Sequence, residues 1–178
     1  YVESQDEWVN KFDFEITGNY DDIFSKDYIN QNISNRNGKT FLKLGFNENF
    51  PLEKVSEKDF EDAKLYQDEH PTLRKIVTSN IDINNEDTYT IEQLMNYVYE
   101  NTSRFADYKE VTDPYEILGR GGGDCTEISD LFISLAKSIG IPARPIRGYA
   151  FGEDFSFGGH QWAEVAINGN WYPVDPTF

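Results

Sequence analysis

Residues 119–140 read GRGGGDCTEISDLFISLAKSIG, and this stretch decides the fold. From Cys125 onward the apolar residues fall at Ile128, Leu131, Phe132, Leu135, Ala136 and Ile139. That spacing is one stripe of a helix running from about Cys125 to Ile139. Gly140 is a natural stop, because glycine enters left-handed backbone without a Cβ clash, and Pro142 excludes continuation. Ahead of the helix, Gly119-Arg120-Gly121-Gly122-Gly123-Asp124 leads directly into Cys125, which places the thiol at or near the helix N-terminus. Unpaired N–H groups and the positive end of the helix dipole favour a thiolate there. Such positions bring a cysteine from about 8.5 into the range of roughly 3.5–7.5. The glycines allow close approach of a substrate, and a backbone N–H beside Cys125 can face an oxyanion. Two plainer readings stand beside this one. A lone cysteine is commonly a small buried hydrophobe, and a Gly-rich loop before a helix commonly holds phosphate. The phosphate reading fails on spacing: no GxxxxGK[ST] is present, and Asp124 occupies the place of the third glycine in GxGxxG.

After the helix come three strand-like runs, 143–151, 160–168 and 171–175, with Asn168-Gly169-Asn170 joining the last two as a tight hairpin. A helix followed by antiparallel strands is an α+β arrangement rather than a βαβ repeat. On the middle run His160, Trp162 and Glu164 share one face. A turn at 169–170 sets Asp175 opposite Glu164, four positions from His160, so spacing alone does not bring Asp175 to the imidazole. If Cys125, His160 and Asp175 converge, they have a mechanism. The thiol attacks a carbonyl, the imidazole takes and returns a proton, and the carboxylate holds the imidazole tautomer. Taken alone, His160 reads more readily as a structural hydrogen-bonding residue than as a base. His70 lies in the acidic Asp68-Glu69-His70-Pro71 and reads as a surface residue. Trp162 and Trp171 read as core or cleft lining. Arg144 and Arg147 read as partners for the many acids, and Glu164 as a surface or structural residue.

Upstream, Phe12, Phe14 and Ile16 alternate with Asp13 and Glu15, and Asn37-Gly38 marks a turn before Leu42, Leu44 and Phe46. Residues 47–70 are polar and acidic, with a short helix expected over part of 56–66. Pro71 opens a helix carrying Leu73, Ile76 and Val77. Thr90-Ile91-Glu92-Gln93 fits a capping box ahead of Ile91, Leu94, Met95, Val98 and Tyr99 at helical spacing. The run Asp82-Ile83-Asn84-Asn85-Glu86-Asp87 lacks the glycine and the distal glutamate of a calcium loop, so it reads as the connection before that helix. Neither metal nor cofactor is expected. The domain reading is an N-terminal strand and loop region over 1–70, packed on a catalytic domain over 71–178.

The whole chain has 178 residues, with 32 acidic against 16 basic side chains and a net charge of −16. This balance argues against a nucleic-acid partner, whose phosphates require Lys and Arg. An aromatic content of 15% argues against disorder. With one cysteine, an intrachain disulfide and a multi-cysteine zinc site are excluded. No apolar run approaches the roughly 18 residues that insert into a bilayer. The first residue is Tyr1 rather than Met, which leads to the expectation of an exported piece of a longer envelope protein, extracellular or in the cell envelope.

Gly123-Asp124-Cys125 and its helix, Ser138-Ile139-Gly140-Ile141-Pro142-Ala143-Arg144 with Arg147-Gly148, His160-Gln161-Trp162-Ala163-Glu164-Val165, and Trp171-Tyr172-Pro173-Val174-Asp175-Pro176-Thr177 together resemble the transglutaminase-like superfamily. The blocks stand in the family's order and cover about residues 90–178. The resemblance implies a papain-like α+β fold with the nucleophile at a helix N-terminus packed on an antiparallel sheet. It implies Cys125 as nucleophile, His160 as base, Asp175 as its orienter, and contact between the last two. Tyr108 is the candidate for an upstream oxyanion donor of the kind family members supply, and Asp124 and Trp162 are candidates for the cleft. Members include crosslinking transferases, proteases, peptide-glycan amidases and cell-wall peptide hydrolases, so the fold does not fix the substrate. The expected activity is that of a cysteine-dependent amide hydrolase or acyltransferase on a protein or peptide, cell-wall peptide included. Hydrolysis is favoured, as in small members without a calcium requirement. The alternative is a catalytically silent peptide-binding or structural domain of the same fold.

Overall fold

Alternation in the first fifty residues produces a three-stranded antiparallel sheet of β1 (Lys11–Ile16), β2 (Gln31–Arg36) and β3 (Lys39–Gly45), in the order β1-β3-β2. Its register sets Phe12 against Leu44 and Phe14 against Leu42. This computed structural model describes residues 11–16, 31–36, 39–45, 52–83, 87–105, 111–151 and 157–177. The expected turn at Asn37-Gly38, and Phe46, lie outside the described residues. The sheet belongs to one compact unit, Tyr1–Pro51, and everything below belongs to a second, Leu52–Phe178.

The second unit runs α1 (Glu57–Glu69), α2 (Pro71–Asn80), α3 (Asp87–Asn101), β4 (Ser103–Arg104), α4 (Pro114–Arg120), β5 (Gly122–Gly123), α5 (Cys125–Ser138), β6 (Ala143–Phe151), β7 (Phe157–Ile167) and β8 (Asn170–Val174). Ser56 caps α1 through a reciprocal box with Asp59, and the helix runs past the short segment expected at 56–66. It ends at His70, whose N–H bonds the Tyr66 carbonyl and whose ring stacks on Tyr66 at 4.0 Å. His70 is thus half-buried rather than the free surface residue expected from its acidic neighbours. Pro71 at the first position then starts α2, and Leu73 and Val77 are buried as their spacing predicts.

One expectation fails. Thr90 is not the N-cap of α3; the helix begins at Asp87, and Thr90 is a buried residue inside it. Thr90 lies at helical spacing from the buried Leu94 and Val98 on the same face, and burial there outweighs its preference for a cap.

Helix α5 is the centre of the core. Helices α1, α2, α3 and α4 pack around it, and β6 and β7 lie against it. Leu131, Phe132, Leu135 and Ala136 have no exposure at all. Full burial of a side chain the size of Leu or Phe contributes about 1.5–3 kcal/mol. Burial also takes in Ser129, Ile133 and Ser138, beyond the expected stripe, because α5 is covered on several sides. Ile139 caps its C-terminus and Gly140 follows at φ +83°, the left-handed stop read from the sequence.

The second sheet is antiparallel in the order β6-β7-β8. Its helix-facing residues include Ala143, Ala163 and Val165, all in the core. The opposite face carries His160, Trp162 and Glu164 from β7 with Arg144 from β6. Asn168 and Gly169, both at positive φ, make the two-residue turn into β8. The backbone of 53–55 borders this hairpin: Trp171 N donates to Glu53 O at 2.9 Å and Val55 N to Gly169 O at 3.1 Å. Among the described residues no helix is long and apolar enough to cross a membrane.

Candidate active site

Cys125 is the first residue of α5, and Asp124 is its N-cap. The Asp124 carboxylate accepts from Thr126 N at 2.8 Å and Glu127 N at 3.2 Å, and Asp124 N in return donates to Glu127 Oε2 at 2.9 Å. This capping box is written in the sequence itself, as Asp124-Cys125-Thr126-Glu127, a signal of where the helix starts that the glycine run and the lone cysteine overshadow. The cap uses the N–H groups of Thr126 and Glu127 and not that of Cys125.

The approach to the thiol is held from below. Glu127 is 4% exposed, yet its carboxylate takes three donors: Asp124 N, Val111 N at 3.0 Å and Arg120 Nη2 at 3.0 Å. A buried carboxylate is tolerated only when so satisfied. Arg120, whose role the sequence leaves open, also donates to Gly122 O and lies over the Phe105 ring at 5.1 Å. The glycine run is required by contact. At Gly122, φ is +127° and a Cβ would sit 2.2 Å from Ser103 O; at Gly123 it would sit 2.0 Å from Glu127 Oε2. Strands β4 and β5 pair in parallel here, Ser103 with Gly122 and Arg104 with Gly123, through closely apposed backbones.

The hairpin delivers the other two groups. The turn sits at 168–169, so Ala163 pairs with Val174 and the ladder continues towards Trp162 opposite Asp175. This is two positions closer to His160 than the register with Asp175 opposite Glu164, and it makes His160 and Asp175 diagonal neighbours on one face. His160 Nε2 lies 2.6 Å from Asp175 Oδ2. The other carboxylate oxygen accepts from Thr177 N at 3.0 Å and Thr177 Oγ1 at 2.6 Å, which fixes its plane. The imidazole also hydrogen-bonds the Cys125 thiol, and with Nε2 on the carboxylate the remaining nitrogen is Nδ1.

The electrostatics follow from these contacts. The bonds from Asp175 and then Cys125 push His160 up to about 9 against the opposing effect of burial. The hydrogen bond from His160 brings the Cys125 thiol below its ordinary value. Burial works the other way, the Gln161 backbone N–H assists, and the nearby Asp124 charge opposes. Burial raises Asp175, but the bonds from His160 and Thr177 overcome it and leave the carboxyl below its ordinary value. The contacts favour a thiolate beside an imidazolium relative to the two groups apart, and the carboxylate accompanies the imidazolium.

A sequence profile of the transglutaminase-like superfamily matches residues 75–176, more than half of the chain. The chain belongs to the transglutaminase-like superfamily. A solved structure from Cytophaga hutchinsonii, named as a candidate cysteine protease, superposes with a TM-score of 0.56 at 20% identity, covering 96% of this chain and 68% of that one. At that identity the likeness bears on the fold alone. A candidate protease from Parabacteroides distasonis gives a TM-score of 0.48 at 11% identity, covering 81% of this chain and 35% of that one. The periplasmic domain of TgpA from Pseudomonas aeruginosa, bound to ethylmercury, gives 0.48 at 13% identity, covering 78% and 55%. No curated protein matches the sequence. The α+β arrangement of this transglutaminase-like chain, with Cys125 at a helix start against an antiparallel sheet, agrees with its family.

The remaining sequence candidates fall in several places. Trp162 is half-buried, with its ring centroid 6.1 Å from that of His160. Asp124 is occupied in the helix cap. Tyr108 lies outside the described residues. Trp171 is buried, with the Arg144 guanidinium 4.3 Å from its ring centroid. Arg144 pairs with Glu164 at 2.7 Å and with Glu53, the use among the acids that its sequence context favours. Among the described residues no cluster of His, Cys, Asp and Glu could hold a metal ion.

Proposed function

We propose that this chain is a cysteine-dependent hydrolase of peptide or side-chain amides, with acyl transfer to an amine as the competing outcome of the same thioester. The observation that supports the reading is the line of contacts from the Cys125 thiol to His160 and from His160 to Asp175. In the proposed first step Cys125 Sγ bonds to the amide carbonyl carbon. The developing oxyanion takes the Cys125 N–H, the one the cap leaves unused. His160 then protonates the leaving nitrogen, the C–N bond breaks, and a thioester remains. In the second step a water, or an amine, gives a proton to His160 and attacks the thioester, and the carboxylic acid or new amide departs as Cys125 regains its thiolate. Asp175 keeps the imidazole oriented throughout and stabilises its charged form.

The test incubates the protein with mixed peptides, cell-wall peptides among them, and a labelled primary amine. Mass spectra are compared with those from Cys125→Ala. New fragments or one-unit mass gains from deamidation, absent in the variant, support hydrolysis. Incorporation of the amine with loss of ammonia supports transfer. Identical spectra from the two proteins, together with a Cys125 that alkylates no faster than free cysteine, overturn the enzymatic reading in favour of a binding module.

A further inference from the structure

Between the two reacting residues lies a third that the mechanism does not use. Gln161 follows His160 on β7, and its side chain points the other way, into α5. It is 2% exposed, an unusual degree of burial for an amide side chain. Both polar atoms of that amide are engaged. Nε2 donates to Asp130 Oδ1 at 2.7 Å and to Thr126 O at 3.2 Å, and Oε1 accepts from Arg147 Nε at 2.9 Å. The orientation of the amide is forced, because a carboxylate and a carbonyl only accept and a guanidinium only donates. The backbone of the same residue is tied to the same helix: Ser129 Oγ donates to Gln161 O at 3.0 Å, and Gln161 N–H reaches the Cys125 thiol. One residue therefore contacts α5 at positions 125, 126, 129 and 130, the first two turns above the nucleophile.

An apolar residue here would also fill the space, since Ala163 and Val165 do so two and four positions further along β7. Apolar packing is non-directional and tolerates small sliding between a strand and a helix. Hydrogen bonds at 2.7–3.2 Å do not, because their strength falls steeply with distance and angle. A fully satisfied buried polar network fixes one arrangement.

We propose that Gln161 is a positioning residue, a polar brace that locks the imidazole-bearing strand to the thiol-bearing end of α5 and so sets the Cys125–His160 contact. This inference rests on that contact being the reactive pair. Its test is a titration of the thiol, which needs no substrate, so it is separable from the search for an activity.

The variants are Gln161→Met, of similar length and without hydrogen bonds, and Ser129→Ala, a small change in a helix that keeps the fold if the first does not. Both are uncharged changes, and the titratable groups facing the thiol among the described residues, His160 and Asp124 with Asp175 behind, stay as they are. Thiolate absorbance near 240 nm and iodoacetamide alkylation are followed from pH 4 to 10. The brace predicts that alkylation of Gln161→Met at acidic pH slows about tenfold, the equivalent of one unit in the thiol titration. Ser129→Ala shifts the same way by less. Gln161→Glu, which keeps the shape but sets a carboxylate against Asp130 and the Thr126 carbonyl, is not expected to restore the titration. A residue with a merely structural role lowers the melting temperature and leaves the titration curve in place. An unmoved curve in whichever of Gln161→Met and Ser129→Ala folds overturns the proposal.

Discussion

His160 donates from Nε2 to Asp175 Oδ2 across 2.6 Å although the two residues are not opposite each other in the β7–β8 ladder. The two-residue turn at Asn168-Gly169 creates this diagonal relationship, and Thr177 holds the carboxylate from its far side.

The pair should stabilise the fold within a defined pH window. His160 is raised from 6.5 to about 9, so its share is fully present below 6.5 and lost as pH climbs through about 9. Asp175 is lowered from 3.8, so its share is present above 3.8 and lost as pH falls through the lower folded value. The stability difference between the parent and Asp175→Asn, from urea unfolding, should be greatest near pH 5–6, at about 1–3 kcal/mol, and shrink towards both extremes. A difference that is flat from pH 4 to 9 contradicts the linkage.

The proposed activity should follow a bell in pH. Its acidic limb tracks formation of the Cys125 thiolate and lies below the ordinary thiol range. Its alkaline limb falls as His160 loses its proton at about 9, because the leaving nitrogen then lacks a donor. The profile of kcat/KM on any amide substrate found by the mass-spectrometric search checks this, and activity still rising at pH 10 would rule out His160 as the acid.

The glycines of the approach loop should differ sharply. Gly122→Ala brings a Cβ against Ser103 backbone at a φ that side chains avoid, and Gly123→Ala drives one into Glu127. Each should cost on the order of 1–3 kcal/mol. Gly119→Ala lies in α4 with nothing within 4 Å of its Cβ and should gain about 0.5–1 kcal/mol. Thermal melts of the three variants rank them, and equal melting temperatures would refute the contact reading.

Loss of the buried carboxylate under the nucleophile should be expensive. Glu127→Ala removes an ion pair with Arg120 and the acceptors of the Asp124 and Val111 N–H groups. We expect a loss of about 3 kcal/mol in urea unfolding, against under 1 kcal/mol for the exposed Glu57→Ala. Comparable midpoints for the two variants would remove Glu127 from its supporting role.

The sequence by itself determined the local pieces: α5 and its glycine stop, Cys125 at the helix start, the face shared by His160 and Trp162, and the turn region between β7 and β8. Those features are set by residues a few positions apart, through helical and strand periodicity, capping and turn chemistry. The capping box at Asp124-x-x-Glu127 was equally legible. What only the tertiary structure decided is which residues meet across elements. A strand shifted by two positions presents the same side chains to the same face, so alternation cannot distinguish a ladder that sets Asp175 opposite Glu164 from one that leads it towards Trp162. Nor can local pattern show that Glu127 and Gln161, polar by composition, are buried. Their donors and acceptors come from Val111, Arg120, Asp130 and Arg147, and only the packing of α5 against its loop and sheet brings those groups within reach.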